Sequence, residues 1–373
     1  MATPSSPSQV ISRLTPLADV LSMIDAEVKA VTPRTLDIKA ALGRALAVDT
    51  SSPVRPSAPI ALQDGWALRA DDTLGAGGYS PAALVRIPSR VEVGQAMPPG
   101  TDSVAPLDAV RVANGQAEAL TTINPGDGVL VAGGDSDPSI PLHRAGDHLR
   151  LTDLAVFGAL GLSRVTVREP RVRVLPVRGN GIVSAAARVI AGDIERLGGV
   201  ARLDEGGRGL EVAIASNSAD AIVALGGTGT GRTDSSILTL ARDGRLAVHG
   251  MAVMPGETAA LGFAGTQPVL LLPGRLDAAL AVWFLVGRRM LARLAGSHPR
   301  DEIAATVPLA RKVTSTIGLT EVVPIRVVGG EAEPLGARYL PLSVLARADG
   351  WIQVPPDSEG YSAGTPVAVR PWP

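Results

Sequence analysis

The sequence contains no cysteine and few aromatic residues. Without cysteine there are no disulfides, thiolate metal sites or cysteine nucleophiles, which is typical of a protein from a reducing compartment. Aromatic residues make up only 3% of the chain, so single-stranded nucleic acid would find few rings to stack on. We therefore expect a core of alanine, valine, leucine and isoleucine, and we do not expect binding to RNA.

The net charge is also close to zero, and the apolar runs are short. The 35 basic and 36 acidic residues nearly cancel, so no overall field attracts nucleic acid or an anionic membrane. The longest apolar run, residues 278–287, is about half as long as a bilayer span, and the first fifteen residues carry no apolar secretory segment. These features predict a cytoplasmic protein with neither nucleic acid nor a membrane as partner.

Basic residues are almost all arginine, because Lys29, Lys39 and Lys312 are the only lysines. Arginine presents a fixed fork of donors that suits phosphate and carboxylate groups, although coding bias would give the same count. The four histidines show no spacing typical of metal ligands, and a surface position is favoured for each.

Three regions follow one another along the chain. Residues 1–170 open with an amphipathic helix that begins near Leu17, and they carry an insert of short β-strands at about 50–150. Residues 171–300 alternate strand, glycine-rich loop and helix, which predicts a mostly parallel, doubly wound α/β domain. Residues 301–373 return to alternating runs and predict a C-terminal β domain. The predicted fold class is therefore multidomain α/β plus β.

Ligands of open α/β sheets bind at the carboxyl ends of the strands, where this sequence places glycine-rich loops. The four loops are Arg178-Gly179-Asn180-Gly181, Gly226-Gly227-Thr228-Gly229-Thr230-Gly231-Arg232-Thr233-Asp234, Met254-Pro255-Gly256-Glu257-Thr258 and Pro273-Gly274-Arg275-Leu276-Asp277. Glycine backbones and arginine side chains favour a phosphate- or carboxylate-bearing ligand. Alternatively each loop is a turn with a helix cap, for example Asp234 capping a helix from Ser235, but the nine-residue loop exceeds what a turn needs.

Several enzyme classes are not expected from the motifs. Arg232 stands where a dinucleotide fingerprint needs its third glycine, and neither a P-loop nor a Gly-x-Ser-x-Gly elbow occurs. NAD enzymes, P-loop NTPases and serine hydrolases of that type are therefore not expected. In the β insert, the composition of residues 63–67 favours a turn.

Taken together, the motifs resemble those of the molybdopterin molybdenumtransferase family, of the MoeA and gephyrin E-domain type. The resemblance runs from about Leu17 to Val369. It rests on Gln63-Asp64-Gly65-Trp66-Ala67, on Met97 to Val104, on the glycine loop 226–234, on the two Pro-Gly loops and on Leu345 to Gly350. Each motif is weak alone, but their order and spacing are specific.

This resemblance implies a homodimer in which the α/β domain binds molybdopterin. It implies that molybdate is inserted into adenylylated molybdopterin with release of AMP, assisted by Mg²⁺. Asp64 and Asp234 match the family's catalytic acids, and Asp234 is also the implied metal ligand. The implied molybdopterin contacts are Arg178, Gly179, Gly226, Gly227, Thr228, Gly229, Thr230, Gly231, Arg232, Pro255, Gly256, Pro273, Gly274 and Arg275. Implied partners are a molybdopterin adenylyltransferase or a recipient molybdoenzyme.

The sequence also departs from the family at the predicted site. In the first loop, Asn180 and Gly181 replace two acids of the family motif. In the Pro-Gly-Lys-Pro loop, Glu257 and Thr258 replace the lysine and the second proline. In the last loop, Arg275 replaces an asparagine. Fewer acids should weaken a Mg²⁺ site, since a hard cation needs carboxylate oxygens. Two interpretations stay open: an enzyme that still inserts molybdenum, or a paralogue that binds, carries or delivers molybdopterin. The form of molybdopterin and the choice between molybdate and tungstate also stay open.

Overall fold

The computed structural model describes residues 10–177, 181–204, 209–216, 218–298 and 302–373. The chain forms two compact units. The first is made of Met1–Val48, Ala145–Leu154 and Arg164–Pro373, apart from the residues left undescribed, and the second of Asp49–Arg144 and Ala155–Ser163.

Helices are concentrated in the middle of the chain. They are α1 Leu17–Glu27, α2 Leu151–Ala159, α3 Gly181–Arg196, α4 Leu210–Ser216, α5 Ser236–Asp243, α6 Leu276–Val282, α7 Arg288–Ala295 and α8 Leu342–Leu345. A π-helical turn, Trp283–Gly287, joins α6 to α7. No helix of the described segments combines the length and the apolarity that crossing a bilayer requires.

Strands occur along the whole described chain and are mostly short. Those before the central domain are β1 Arg34–Asp37, β2 Ala45–Leu46, β3 Ile60–Ala61, β4 Gly65–Leu68, β5 Ala82–Leu84, β6 Ser89–Val91, β7 Ser103–Ala105, β8 Val110–Ala113, β9 Gln116–Ala119, β10 Val129–Leu130 and β11 Arg164–Arg168. The central strands are β12 Arg171–Pro176, β13 Val200–Leu203, β14 Ala221–Leu225, β15 Arg245–His249, β16 Val253–Met254, β17 Ala260–Ala264 and β18 Gln267–Leu272. The last are β19 Ala305–Pro308, β20 Val313–Thr314, β21 Thr320–Val328, β22 Glu331–Pro334, β23 Gly350–Val354, β24 Gly360–Tyr361 and β25 Pro366–Pro371.

The second unit is built from small antiparallel sheets. Strand β4 lies between β6 and β7, and β9 lies between β5 and β8. The turn favoured for residues 63–67 is wrong for its second part: residues 63 and 64 lie in a bend, but Gly65 begins β4. A Cβ on Gly65 would lie 2.2 Å from the carbonyl oxygen of Ala105, so the glycine is needed where β4 pairs with β7.

The first unit contains a six-stranded sheet in the order β13-β12-β14-β18-β17-β15. The four strands β13, β12, β14 and β18 pair in parallel, and β17 and β15 continue the sheet antiparallel. Parallel neighbours need crossover connections, and the helices α3, α4, α5 and α6 follow individual strands of this sheet.

Side chains along the central strand β14 alternate between the two faces of the sheet. Val223 and Leu225 join the core that contains α3 and α6, whereas Ile222 and Ala224 join the core that contains α4 and α5. All four are fully buried, because helices cover both faces. The predicted fold class, multidomain α/β plus β with a doubly wound sheet, is confirmed.

A second six-stranded sheet, β16-β21-β23-β25-β19 with β22 beside β21, dominates the C-terminal region. Its strand β16 belongs to the segment before residue 300, and it pairs in parallel with β21 through Val253 and Thr320. The backbone of the α/β region is thereby bonded directly to the C-terminal sheet.

A buried carboxylate joins the helices that cover one face of the parallel sheet. Asp193 of α3, whose side chain is fully buried, accepts hydrogen bonds from Trp283 Nε1 (2.7 Å) and from Arg288 Nε (2.8 Å). Arg196 Nε also donates to it, at 3.0 Å. Burial opposes the charge, but the hydrogen bonds from Arg288 and Trp283 and the charge of Arg196 lower the pKa of Asp193 overall. The carboxylate therefore stays ionised and ties α3 to α7.

Replacing this carboxylate should destabilise the protein. In Asp193→Asn the charge that balances Arg196 and Arg288 is removed, and a buried ion pair that loses one partner costs about 3 kcal/mol or more. We expect urea unfolding, followed by tryptophan fluorescence, to show a loss of this size at pH 7.

The matched control is Asp37→Asn, because the Asp37 side chain is 81% exposed and its pairing with Arg164 is at 3.8 Å. It should change the unfolding midpoint little. The lowered pKa of Asp193 predicts that its contribution is complete above about pH 4 and is lost as the pH falls through the pKa of the folded protein. Equal stabilities of the Asp193 variant and the wild type at pH 7 would contradict the assigned role.

Candidate functional site

The site is built at the carboxyl edge of the parallel sheet. Strands β14 and β18 are parallel neighbours, so the loop 226–235 and the loop 273–275, which follow them, leave the sheet at the same edge. Strand β17 runs antiparallel to β18 and begins with Ala260 opposite Leu271, so the preceding loop 254–259 reaches this edge as well. We call this region the carboxyl edge.

Contacts between the loops confirm that the carboxyl edge is one continuous region. The hydroxyl oxygens of Thr228 and Thr258 lie 3.0 Å apart in a hydrogen bond, and Thr228 is buried. A Cβ on Gly274 would lie 3.6 Å from the Cα of Gly226. Three of the four predicted loops are thus brought together. The fourth, with Arg178, Gly179 and Asn180, lies outside the described residues.

Two glycines at the start of the long loop have conformations that other residues rarely adopt. The φ angles of Gly226 and Gly227 are +94° and +71°. Ser236 Oγ donates a hydrogen bond to the carbonyl oxygen of Gly226 at 2.8 Å, and a Cβ on Gly227 would lie 2.4 Å from the same Oγ. The start of the loop is therefore packed against the first turn of α5 and requires glycine.

Asp234 closes the glycine loop on itself. Its Oδ2 accepts a hydrogen bond from the backbone N–H of Gly231 (3.1 Å), and its own N–H donates to the Gly231 carbonyl oxygen (3.0 Å). The alternative in which Asp234 caps a helix from Ser235 is wrong, because Ser235 itself occupies the N-cap position and no side chain caps α5. Arg232, which lies between Gly231 and Asp234 in the sequence, is exposed.

Arg275 is held by an acid of its own loop. Its Nε donates to Asp277 Oδ1 at 3.1 Å, and its guanidinium lies 4.9 Å from the centre of the Tyr339 ring. Asp277 is buried, and its Oδ2 also accepts the backbone N–H of Leu340 at 3.0 Å. The bond to Asp277, helped by the charge of Glu257, raises the pKa of Arg275. Much of the charge of Arg275 is therefore balanced within the protein.

Sequence reasoning did not identify Asp277 and Tyr339 as neighbours that modify Arg275. The Arg-x-Asp spacing within one loop was the available signal for Asp277. The sequence contains no comparable signal for Tyr339, because this residue belongs to the C-terminal region and is distant from Arg275 along the chain.

Acids outnumber arginines among the described residues of the carboxyl edge. Glu257 replaces a lysine of the resembled motif, and its Oε2 accepts the N–H of Gly256 at 2.9 Å. With Asp234 and Asp277 there are three carboxylates against Arg232 and Arg275. The side-chain charge of this described part of the carboxyl edge is therefore net negative, so an anion would depend mainly on backbone N–H groups and on Thr228.

The described residues do not form a Mg²⁺ site by themselves. Nowhere in the described segments do three or more His, Asp or Glu side chains gather as metal ligands would. The carboxylates of Asp234, Glu257 and Asp277 all accept hydrogen bonds from backbone N–H groups, and Asp277 also from Arg275. Because no three such side chains converge among the described residues, this donor set does not fit a resident cation, which requires several oxygen ligands around one point.

Asp64 lies in the second unit, at the entrance to strand β4. Its Oδ1 accepts the backbone N–H of Val93 at 2.9 Å, and the residue is exposed. The neighbouring Gln63 donates from Nε2 to the carbonyl oxygen of Val104 at 2.8 Å. The backbone around Asp64 is thus fixed, while the carboxylate remains accessible.

Comparison with known proteins places this architecture in a family. The model of the MoeA N-terminal region (domain I and II) matches residues 15–161, and that of the MoeA C-terminal region (domain IV) matches residues 306–372. The chain is 24% identical to the molybdopterin molybdenumtransferase of Nostoc sp., over 78% of this chain and 73% of that protein. It is also 24% identical to molybdopterin molybdenumtransferase 2 of Mycobacterium tuberculosis, over 91% and 95% respectively.

The fold agrees with these matches. A crystal structure of the molybdopterin biosynthesis moeA protein of Pyrococcus horikoshii superposes with a TM-score of 0.78 and 24% identity, covering 96% of this chain and 99% of that one. At this identity the superposition shows the fold alone. Because the two family models together match more than half of the sequence, the chain belongs to the MoeA family.

Proposed function

We propose that this protein acts in molybdenum cofactor biosynthesis as a molybdopterin molybdenumtransferase, inserting molybdate into adenylylated molybdopterin with release of AMP. The observation that carries the proposal is the convergence of three loops at the carboxyl edge, joined by the hydrogen bond between Thr228 and Thr258. Membership of the MoeA family supports the same reaction.

The loops suit a ligand that carries phosphate. Glycines at 226, 227, 229 and 231 let a ligand approach the backbone closely, and the N–H groups of such loops bind phosphate oxygens. Arg232 is exposed beside them and adds one positive charge. In this proposal the loop 226–234 and the Pro-Gly segments, Pro255-Gly256 and Pro273-Gly274, bind the pterin phosphate.

Asp234 and Asp64 are the proposed catalytic acids. Asp234 holds the glycine loop in shape through Gly231, and Asp64 presents an accessible carboxylate on a fixed backbone. The proposed enzyme is a homodimer, as family membership implies.

A second candidate function is that of a carrier, which binds or delivers molybdopterin without inserting molybdenum. Glu257 stands where the resembled motif has a lysine, and the charge of Arg275 is partly balanced by Asp277. An enzyme that stabilises negative charge developing on a phosphate needs positive groups directed at that phosphate. The two changes reduce the positive charge that is available for this purpose.

AMP release separates the two functions. Purified protein is incubated with adenylylated molybdopterin, with and without molybdate, and AMP is quantified by chromatography. The transferase proposal expects release that depends on molybdate. Saturable binding without AMP release would support the carrier. If neither AMP release nor saturable binding is observed, the transferase and the carrier functions are both contradicted.

Removing the Asp234 carboxylate should weaken both binding and turnover. Asp234→Ala removes the charge-assisted hydrogen bond that Gly231 donates to Asp234 and that holds the loop in shape. The free energy of such a bond corresponds to about a tenfold to hundredfold loss of affinity for molybdopterin. Calorimetry with molybdopterin and the AMP assay measure the two effects. Asp243→Ala, a control at the end of α5, should behave as wild type, and unchanged turnover in Asp234→Ala would remove the assigned role.

Restoring the lysine should strengthen binding of the anion. Glu257→Lys exchanges a negative for a positive charge at the carboxyl edge, so we expect molybdopterin affinity to rise about tenfold at low salt and the gain to shrink at high salt. The matched control is Glu331→Lys, the same change on the exposed residue that begins β22. Equal effects of the two substitutions on molybdopterin affinity would contradict a specific role of position 257, because the net charge of the protein alone would then explain the change.

A further inference from the structure

A segment of the C-terminal region lies against the loop that follows β18. Residues 335–341 join β22 to α8, and we call them the connecting segment. Within it, Leu340 donates its backbone N–H to Asp277 Oδ2 at 3.0 Å, and the guanidinium of Arg275 lies over the Tyr339 ring, 4.9 Å from its centre. Since Arg275 and Asp277 follow β18 at the carboxyl edge, the connecting segment borders the region that is proposed to bind molybdopterin.

Two buried carboxylates hold the backbone of the connecting segment. Glu321 of β21 is 1% exposed, and its Oε1 accepts the N–H of Arg338 at 3.2 Å. Asp277 is 4% exposed and accepts the N–H of Leu340, which is itself buried. Hydrogen bonds to carboxylates are stronger than those between neutral groups. The residues on both sides of Tyr339 are therefore fixed.

Arg338 has a backbone conformation that is rare for residues other than glycine. Its φ angle is +66°, in the left-handed region, where the backbone crowds a side chain. Such a conformation persists where the surroundings impose it, and here the bond to Glu321 and the burial of Leu340 do so. The turn at Arg338 is thus a fixed feature, and Tyr339 follows it directly.

The side chain of Tyr339 is presented to solvent although its backbone is fixed. Tyr339 is 63% exposed, whereas Leu340 next to it is 3% exposed. Arg275 covers part of the ring, and the exposed fraction leaves ring area for a ligand. A tyrosine ring that is already held in place loses little conformational freedom on binding, so it suits the stacking of a flat ligand ring.

Arg275 holds the ring and keeps a donor for a ligand. Its Nε and Nη2 donate to Asp277, and neither bond uses Nη1. Its neighbour Gly274 lies beside Gly226, so the ring and this donor are adjacent to the loop that is proposed to bind phosphate. The asparagine of the resembled motif carries no cation to place over Tyr339. The pairing of this ring with a guanidinium therefore depends on the arginine of this chain.

We propose that Tyr339 determines ring specificity at the carboxyl edge. Its exposed surface stacks on the aromatic ring of a phosphate-bearing ligand, and Nη1 of Arg275 donates to a phosphate oxygen of the same ligand. The inference rests on the proposed function for its ligand class, a heteroaromatic ring joined to phosphate. Adenylylated molybdopterin contains two such rings, the adenine and the pterin, and the experiment distinguishes them.

Isothermal titration calorimetry on the full chain tests the ring contact. The ligands are AMP, molybdopterin and ribose 5-phosphate, which has the sugar and phosphate of AMP without the base. We expect AMP, molybdopterin or both to bind about tenfold tighter than ribose 5-phosphate, since stacking on an aromatic side chain contributes about that factor. Equal affinity for all three ligands, or no saturable binding of any, would overturn the proposal.

Substitution of Tyr339 shows whether this ring is responsible. Tyr339→Ala should weaken binding of the ring-bearing ligand about tenfold and leave the affinity for ribose 5-phosphate unchanged, whereas Tyr339→Phe should retain the wild-type affinity. The ligand that loses more affinity, AMP or molybdopterin, identifies the stacked ring as adenine or pterin.

The matched control is Tyr79→Ala, which removes an exposed tyrosine of the second unit and should bind all three ligands as wild type does. Wild-type affinity of Tyr339→Ala for both ring-bearing ligands would contradict the stacking. An equal loss of affinity for ribose 5-phosphate would also contradict it, because the substitution would then act on the shape of the phosphate loop.

Turnover separates a failure of this inference from a failure of the proposed function. In the AMP assay, Tyr339→Ala should raise the KM for adenylylated molybdopterin about tenfold and affect kcat much less, because stacking is equally strong in the ground state and the transition state. If the wild type releases AMP and the KM of Tyr339→Ala is unchanged, the stacking alone is wrong. If the wild type releases no AMP but binds ring-bearing ligands through Tyr339, the transferase function alone is wrong.

Discussion

The buried carboxylate of Asp193 holds together the helices that cover one face of the parallel sheet. It receives hydrogen bonds from Trp283, Arg196 and Arg288, so α3, the π-helical turn and α7 are fixed as one layer against the parallel sheet. A charge is tolerated at this depth only because three donors surround it. Helix α3 of this layer begins after β12, at the same edge of the sheet as the loops that follow β14 and β18.

The parallel sheet determines where ligand chemistry can occur. Since β14 and β18 are parallel and fully buried, backbone conformations suited to binding are confined to the loops that follow them. Those loops retain their glycines, whereas the charges around them differ from the resembled motifs: Glu257 is an acid, and Asp277 balances Arg275. The glycine-rich backbone is thus retained while the side-chain charge around it is less positive, and these two observations lead to the two candidate functions.

The arginines of this chain are largely paired within the protein. At the carboxyl edge, the charge of Arg275 is partly balanced by Asp277, which lies in the first turn of α6. Arg288 and Arg289 of α7 pair with Asp193 and Asp25. Abundant arginine in the sequence therefore indicated anion binding in general, but in the folded chain several of these cations are bound by acids of the protein itself.

The sequence by itself determined the fold class, the MoeA resemblance and the placement of three glycine-rich loops, because strand periodicity and glycine spacing are local properties. It failed mainly where the outcome depends on distant partners. Residues 65–67, part of the segment read as a turn, pair as a strand, since Gly65 fits against Ala105. The helix cap predicted for Asp234 failed for a local reason, because its carboxylate accepts the N–H of Gly231 and Ser235 occupies the N-cap position. The bond of Asp277 to Leu340 and the stacking of Phe284 on Trp351 join residues more than sixty positions apart. Only the tertiary structure decided those contacts, because they depend on how separate elements pack and no local pattern encodes them.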